Sequence, residues 1–169
     1  MFNLGIVTIS DKAWQGERAD QSGQVIRDIF SAVDCQVVEY EVIPDEIDII
    51  ASKLAQWADK GGVDVIITTG GTGLGPRDVT PEATLSIVDR VVPGLAEMMR
   101  AQSFSITPFS MLSRAVAGVR KRCLIINLPG SPKAVRECLE VILPAISHAT
   151  EIIKGEVTEH SGKDQFGAH

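Results

Sequence analysis

The sequence predicts an α/β fold, a three-layer αβα arrangement around a mostly parallel central sheet. Two observations carry that prediction. Four short apolar runs rich in β-branched residues, at 4–9, 36–43, 65–69 and 124–128, have the length of strands. Between them lie longer stretches whose apolar residues recur at helical spacing, so strand and helix alternate. Strands joined through helices are parallel, and a parallel sheet needs helices on both faces.

The elements follow in order. The run 4–9 ends at Ser10-Asp11, and a polar loop from Lys12 to Gln21 carries Trp14, Arg18 and Asp20. Ser22 then suits a helix cap, and Val25, Ile26, Ile29, Phe30 and Val33 give the helix one apolar face. The second run, 36–43, stops at Pro44-Asp45. Ile47, Ile50, Leu54 and Trp57 form the stripe of the next helix, which Gly61-Gly62 closes. The third run breaks into a glycine loop, after which Thr80 caps a helix over 81–89 with Pro81 at its first position.

A helix over 93–103 follows, with Leu95, Met98 and Met99 as its apolar side, and a short helix over 109–115. The run 124–128 is closed by Pro129-Gly130-Ser131-Pro132. In the last helix Val135, Cys138, Leu139, Ile142, Ile146, Ala149 and Ile153 trace the buried stripe, and Pro144 is expected to kink it. Residues 1–154 read as a single domain, and the polar stretch 155–169 as a loose tail.

Composition sets outer limits. A length of 169 residues suits one domain with a substantial core. A net charge of −6 leaves no basic stripe to release counterions, so no nucleic-acid partner is expected. Cys35, Cys123 and Cys138 lack metal-ligand spacing and read as buried thiols of a reducing compartment. No apolar run reaches about 18 residues and no basic leader precedes the first strand, so the expected location is the cytoplasm, without a membrane partner.

Right-handed crossovers place every strand-to-helix junction on one edge of a parallel sheet. Ser10-Asp11, Asp45, the stretch 70–78 and Pro129–Pro132 are such junctions, so topology gathers them on one rim. The richest is the third. Gly70, Gly71, Gly73 and Gly75 fall within six residues, followed by Arg77, Asp78 and a helix start. Glycines let a backbone approach a phosphate and turn N–H groups toward it, and the helix adds partial positive charge. The loop lacks the Gly-Lys-Ser/Thr close of a Walker motif and the glycine spacing of a dinucleotide fingerprint.

No histidine and no cysteine reaches this rim in the expected fold, which disfavours a histidine base or a thiol nucleophile. Three carboxylates, Asp11, Asp45 and Asp78, do reach it. Phosphate with oxygen ligands suits Mg²⁺ and phosphoryl or nucleotidyl transfer. Each residue also has a structural role open to it. Asp45 fits as a helix N-cap with Asp48 three residues on, Asp78 and Asp11 as turn residues, and Ser131-Pro132 as cap and first helical residue. Arg77 fits a substrate phosphate or a neighbouring acid.

Thr68-Thr69-Gly70-Gly71-Thr72-Gly73, Arg77-Asp78, Thr80-Pro81-Glu82-Ala83 and Leu128-Pro129-Gly130-Ser131-Pro132 together resemble the molybdenum-cofactor biosynthesis family of the MogA/MoaB type. Ser10-Asp11 and Ile43-Pro44-Asp45-Glu46 match it as well, and the likeness spans about residues 4–153. Thr-Ile-Ser-Asp-Lys-Ala (8–13) and Pro-Asp-Glu lean toward the MogA branch, the molybdopterin adenylyltransferases. The resemblance implies transfer of AMP from ATP to the terminal phosphate of molybdopterin with Mg²⁺ and release of pyrophosphate. It implies Asp45 and Asp78 as the catalytic carboxylates, and we expect them to position Mg²⁺ directly or through water.

By the same resemblance Gly70, Gly71, Thr72 and Gly73 meet phosphate, while Ser10, Asp11, Pro129, Gly130, Ser131 and Pro132 line the pterin and nucleotide pocket; Arg77 is a further candidate for the phosphate by its fork geometry. A homotrimer, sometimes a hexamer, and a molybdenum-insertion partner are also implied. The rival reading is a non-catalytic molybdopterin-binding or carrier protein of the MoaB type. A third is a nucleotide-pyrophosphate hydrolase, since the fold also occurs in competence-damage-type proteins.

Overall fold

The computed structural model describes residues 1–156, so the expected tail beyond Glu156 lies outside the described residues. Six strands form one sheet in the order β2-β1-β3-β6-β5-β4. They are β1 (Phe2–Ile9), β2 (Cys35–Ile43), β3 (Val65–Thr69), β4 (Arg90–Val91), β5 (Ala117–Arg120) and β6 (Cys123–Leu128). The four expected strands pair in parallel, and β5 and β4 add an antiparallel edge that the sequence reading missed. The reason is length: two and four residues, centred on glycine in β5, are too short to show a period.

The helices are α1 (Asp11–Trp14), α2 (Gln21–Phe30), α3 (Ile47–Lys60), α4 (Thr80–Leu85), α5 (Pro93–Phe104) and α6 (Pro132–Lys154), with a 3₁₀ turn over Pro108–Leu112. Two apolar clusters lie on opposite faces of the sheet. Leu4, Ile6, Val65, Ile67, Leu124 and Ile126 pack under α2, α5 and α6. Their alternates Val7, Ile9, Ile66 and Ile125 pack with Ile50, Leu54 and Trp57 of α3. Burial on both faces explains why β1, β3 and β6 read as continuous apolar runs.

Several helix starts differ from expectation, each for a local reason. Asp20, not Ser22, caps α2: its Oδ1 accepts from Gly23 N at 2.9 Å, while Ser22 Oγ donates to Gly130 O at 2.6 Å. The helix α4 begins at Thr80 and ends at Leu85, short of residue 89, because Asp89 N already donates to Val119 O beside β4. Thr80 is not its cap, since its hydroxyl donates to Gly70 O at 2.9 Å. The stretch expected as a helix over 109–115 is only the 3₁₀ turn. Asn127, wholly buried, spans the interior by donating to Thr68 Oγ1 and Thr84 Oγ1 at 3.0 and 2.9 Å.

Candidate functional site

The carboxyl ends of β1, β3 and β6 stand level, with Thr8 beside Thr69 and Thr69 beside Leu128. The chain leaves β1 toward β2 on one side and returns to β3 on the other, so a crevice opens between their ends. A polar cavity of about 460 Å³ fills that crevice. Ser10, Asp45, Gly70, Asp78, Ser131 and Pro132, from all four expected junctions, line it. The convergence deduced from topology is present.

Backbone geometry explains the glycines. Gly70 has φ +101°, and a side chain there would collide with Ile9 O. Gly71 has φ +67°, and a Cβ would crowd the Thr80 hydroxyl and lie 3.2 Å from Asp45 Oδ1. Thr69 Oγ1 donates to Pro129 O at 2.7 Å and Gly70 N to Leu128 O at 3.1 Å, so the β3 and β6 loops are tied together. Asp78 Oδ2 accepts from Gly75 N at 2.7 Å and closes the loop on itself.

Asp11 and Asp45 are bound reciprocally. Asp11 N donates to Asp45 Oδ2 at 2.8 Å, and Asp45 N donates to Asp11 Oδ1 at 3.0 Å. Asp45 is therefore not the N-cap of α3; that position is Glu46, whose side chain makes no capping bond. Burial pushes the Asp45 carboxyl above its usual range, with Asp11 and Asp78 adding repulsion, against the lowering effects of the Asp11 backbone bond and Arg77. Asp11 moves the opposite way. The Arg77 fork donates to it at 3.0 and 3.1 Å, which with the Asp45 N–H holds its carboxyl below the usual range.

Not every expected residue faces the cavity. Arg77 is taken up by Asp11 and by Glu46 at 2.8 Å, and neither Arg77 nor Asp11 lines the crevice. Ser10 and Ser131 line it and also cap α1 and α6, accepting from Ala13 N and Ala134 N. Thr72, Gly73 and Pro129 face a second cavity of about 430 Å³, set against α5, the 3₁₀ turn and α6. Met99, Phe109 and Leu112 make it apolar. Gly71, Asp78 and Gly130 belong to both cavities, so the glycine loop stands between them.

The sequence reading missed three features here. Arg114 holds the glycine loop, donating from Nε to Gly73 O at 2.8 Å and from Nη2 to Asp78 O at 2.7 Å, and pairing with Glu82. Nothing in its flanking sequence signals that role, which depends on two segments far apart in the chain. Asp20 accepts from Thr8 Oγ1 at 2.6 Å, from Tyr40 and from Gly23 N. Cys138, expected away from the rim, lines the apolar cavity, although burial raises its thiol pKa and keeps it protonated. Cys123 is buried and pushed up to about 12.

A divalent cation fits this donor set. Among the described residues no group of three potential protein ligands occurs. Asp45 and Asp78 each have one oxygen engaged by a backbone N–H, leaving Oδ1 of both without a hydrogen bond among the described residues. Two carboxylates completed by phosphate oxygens and water are the ligands Mg²⁺ accepts. No described helix is long and apolar enough to cross a membrane.

The family described as "Probable molybdopterin binding domain" matches residues 5–148. The molybdopterin adenylyltransferase of Helicobacter pylori strain J99 is 40% identical over 165 residues, 96% of this chain and 94% of that protein. The enzyme of the same name from Escherichia coli K12 is 41% identical over 146 residues, 85% of this chain and 75% of that protein. The crystal structure of the molybdopterin biosynthesis enzyme MoaB from Thermus thermophilus superposes with a TM-score of 0.87 at 52% identity, covering 92% of this chain and 98% of that one. The chain belongs to the molybdopterin-binding-domain family of molybdenum-cofactor biosynthesis.

Proposed function

We propose that the chain is a molybdopterin adenylyltransferase, moving AMP from ATP to the terminal phosphate of molybdopterin with release of pyrophosphate. One observation carries this reading: two cavities of different polarity share Asp78 and the glycine loop. Both substrates pair a flat heterocycle with phosphate, and transfer needs two phosphates brought together between two ring sites. A carrier for molybdopterin alone needs one.

In the proposed reaction a terminal phosphate oxygen of molybdopterin attacks the α-phosphorus of ATP. A P–O–P bond forms, the bond from the α-phosphorus to the bridging oxygen breaks, and pyrophosphate departs with the electron pair. Four parts of the chain serve this step. The N–H groups of Gly71, Thr72 and Gly73, turned by the positive φ of Gly70 and Gly71, and the start of α6 at Ser131 bind phosphate oxygens. Asp45 and Asp78 would hold Mg²⁺ through their unbonded oxygens, directly or through water. When bound, that ion offsets the repulsion between two anionic reactants. Arg77 and Asp11 act behind Asp45, fixing its carboxylate through the reciprocal hydrogen bonds.

Residues 1–154 are proposed as one unit in a cytoplasmic homotrimer, whose product passes to a molybdenum-insertion protein. Incubating the protein with ATP, Mg²⁺ and molybdopterin and assaying pyrophosphate tests the reaction. Molybdopterin-dependent pyrophosphate release supports transfer. Tight molybdopterin binding without release supports the carrier reading, which the 52% identity to a protein named MoaB keeps in play. Hydrolysis of dinucleotides without pterin would indicate a pyrophosphate hydrolase instead.

A further inference from the structure

The polar cavity holds a charge imbalance. Asp20, Asp45 and Asp78 line it, and Arg18 is the one cationic side chain among its lining residues. Asp20 is already satisfied, with Thr8 Oγ1 and Tyr40 on one oxygen and Gly23 N on the other. Arg18 is not. Its Nη2 donates to Ser10 Oγ at 3.2 Å, a long bond to a neutral acceptor, and it has no salt bridge among the described residues.

Two other arginines near the glycine loop differ, while Arg100 in the apolar cavity is taken up by the Ser113 and Ala115 carbonyls. Arg77, which the sequence offered as a phosphate ligand, is neutralised by Asp11 and Glu46, and Arg114 by Glu82. Arg18 is exposed, but the loop that carries it is fixed at the cavity rim. The loop carrying it is tied on one side by Gln15 N to Asp11 O and Glu17 N to Lys12 O, both 2.9 Å. On the other side Asp20 fixes the loop to β1 and α2. A guanidinium held at a cavity wall without a counter-charge has its planar fork available for an anion. The first turns of α2 and α6 reach the same cavity through Ser22 and Ser131 and add positive potential there.

We infer that Arg18 is a substrate-phosphate contact of this site, taking the place the sequence assigned to Arg77. It rests on the adenylyl-transfer reading only for the source of the phosphate, which is either the polyphosphate of the nucleotide or the phosphate monoester of the pterin. The mode of recognition is the same for both: a charge-assisted hydrogen bond to a non-bridging oxygen.

The test compares the unsubstituted chain with Arg18→Ala and Arg18→Lys by calorimetric titration of inorganic pyrophosphate and of inorganic phosphate. Steady-state KM values for ATP and molybdopterin are measured alongside. Arg18→Ala should weaken at least one phosphate probe about tenfold, the usual worth of one charge-assisted bond at a partly open site. Arg18→Lys should recover part of that loss, and the melting temperature should change little. A rise in KM for ATP alone identifies the nucleotide as the source, and a rise for molybdopterin alone identifies the pterin. Equal probe affinities and equal KM values in Arg18→Ala and the unsubstituted chain overturn the inference, as does failure of the unsubstituted chain to bind either probe. Arg18-dependent binding of pyrophosphate without molybdopterin-dependent pyrophosphate release leaves this inference standing and removes the transfer reading.

Discussion

Asp45 is held where a carboxylate is uncomfortable. Burial and two neighbouring acids favour its protonated form, so its folded pKa lies above the unfolded one. Such a group costs the fold nothing below the unfolded pKa, and its cost grows as pH rises through the folded value. Asp45→Asn keeps an oxygen for the Asp11 N–H and removes the charge. It should raise the melting temperature at pH 7, and the gain should fade on acidification through the carboxylate range. Melts across that range check it, and an Asn variant less stable at neutral pH would contradict the argument. Asp11 has the opposite sign: its lowered pKa contributes stability above the unfolded value that is lost as pH falls through the folded one. For Asp78, replacement by Asn should cut turnover by about 100-fold or more while molybdopterin affinity stays within about threefold. Parallel losses in both quantities would sink its catalytic assignment.

At the scale of elements, the glycine loop is held by its surroundings more than by its own sequence. Thr80 and Arg114 donate to its carbonyls, Asp78 accepts from Gly75 N, and Gly70 lies against Ile9 O. Gly70→Ala combines an unfavourable left-handed φ with a backbone collision that no side-chain rotation relieves. It should cost at least about 3 kcal/mol of stability, read from the midpoint of urea unfolding. A near-neutral result would show that the loop can move away from β1. The helix starts carry a related lesson. Asp20, Ser22, Asp45 and Thr80 all have cap-competent side chains, yet only Asp20 caps: Ser22 and Asp45 reach partners on distant segments, and Thr80 donates back to Gly70 O in its own loop.

The whole molecule places its chemistry at the reversal of strand order between β1 and β3, with polar and apolar cavities on either side of one loop. Around the apolar cavity, whose wall includes Phe109 and Leu112, Phe104, Ile106, Phe109, Met111 and Leu112 are more than half exposed at the end of α5 and the 3₁₀ turn. So much apolar surface in one stretch suits an oligomeric chain. Sedimentation velocity should therefore give an oligomer, which the assembly proposed above makes a trimer or a hexamer. A monomer at micromolar concentration would count against the assembly proposed above.

Hydrophobic periodicity and the right-handed crossover were enough to read the parallel sheet, its four main strands and the rim where Ser10, Asp45, Gly70, Asp78 and Ser131 meet. Those features depend on spacing along the chain, which a sequence carries directly. The antiparallel edge was not legible, because β4 and β5 are too short to show a period. Partner choice was not legible either. Whether Arg77 meets an acid or a substrate, whether Asp45 caps a helix or binds Asp11, and which arginine reaches the cavity uncompensated are decided by distances between segments far apart in sequence. Only the tertiary structure fixes these, because hydrogen bonds and ion pairs act over a few ångströms of space and take no account of position along the chain.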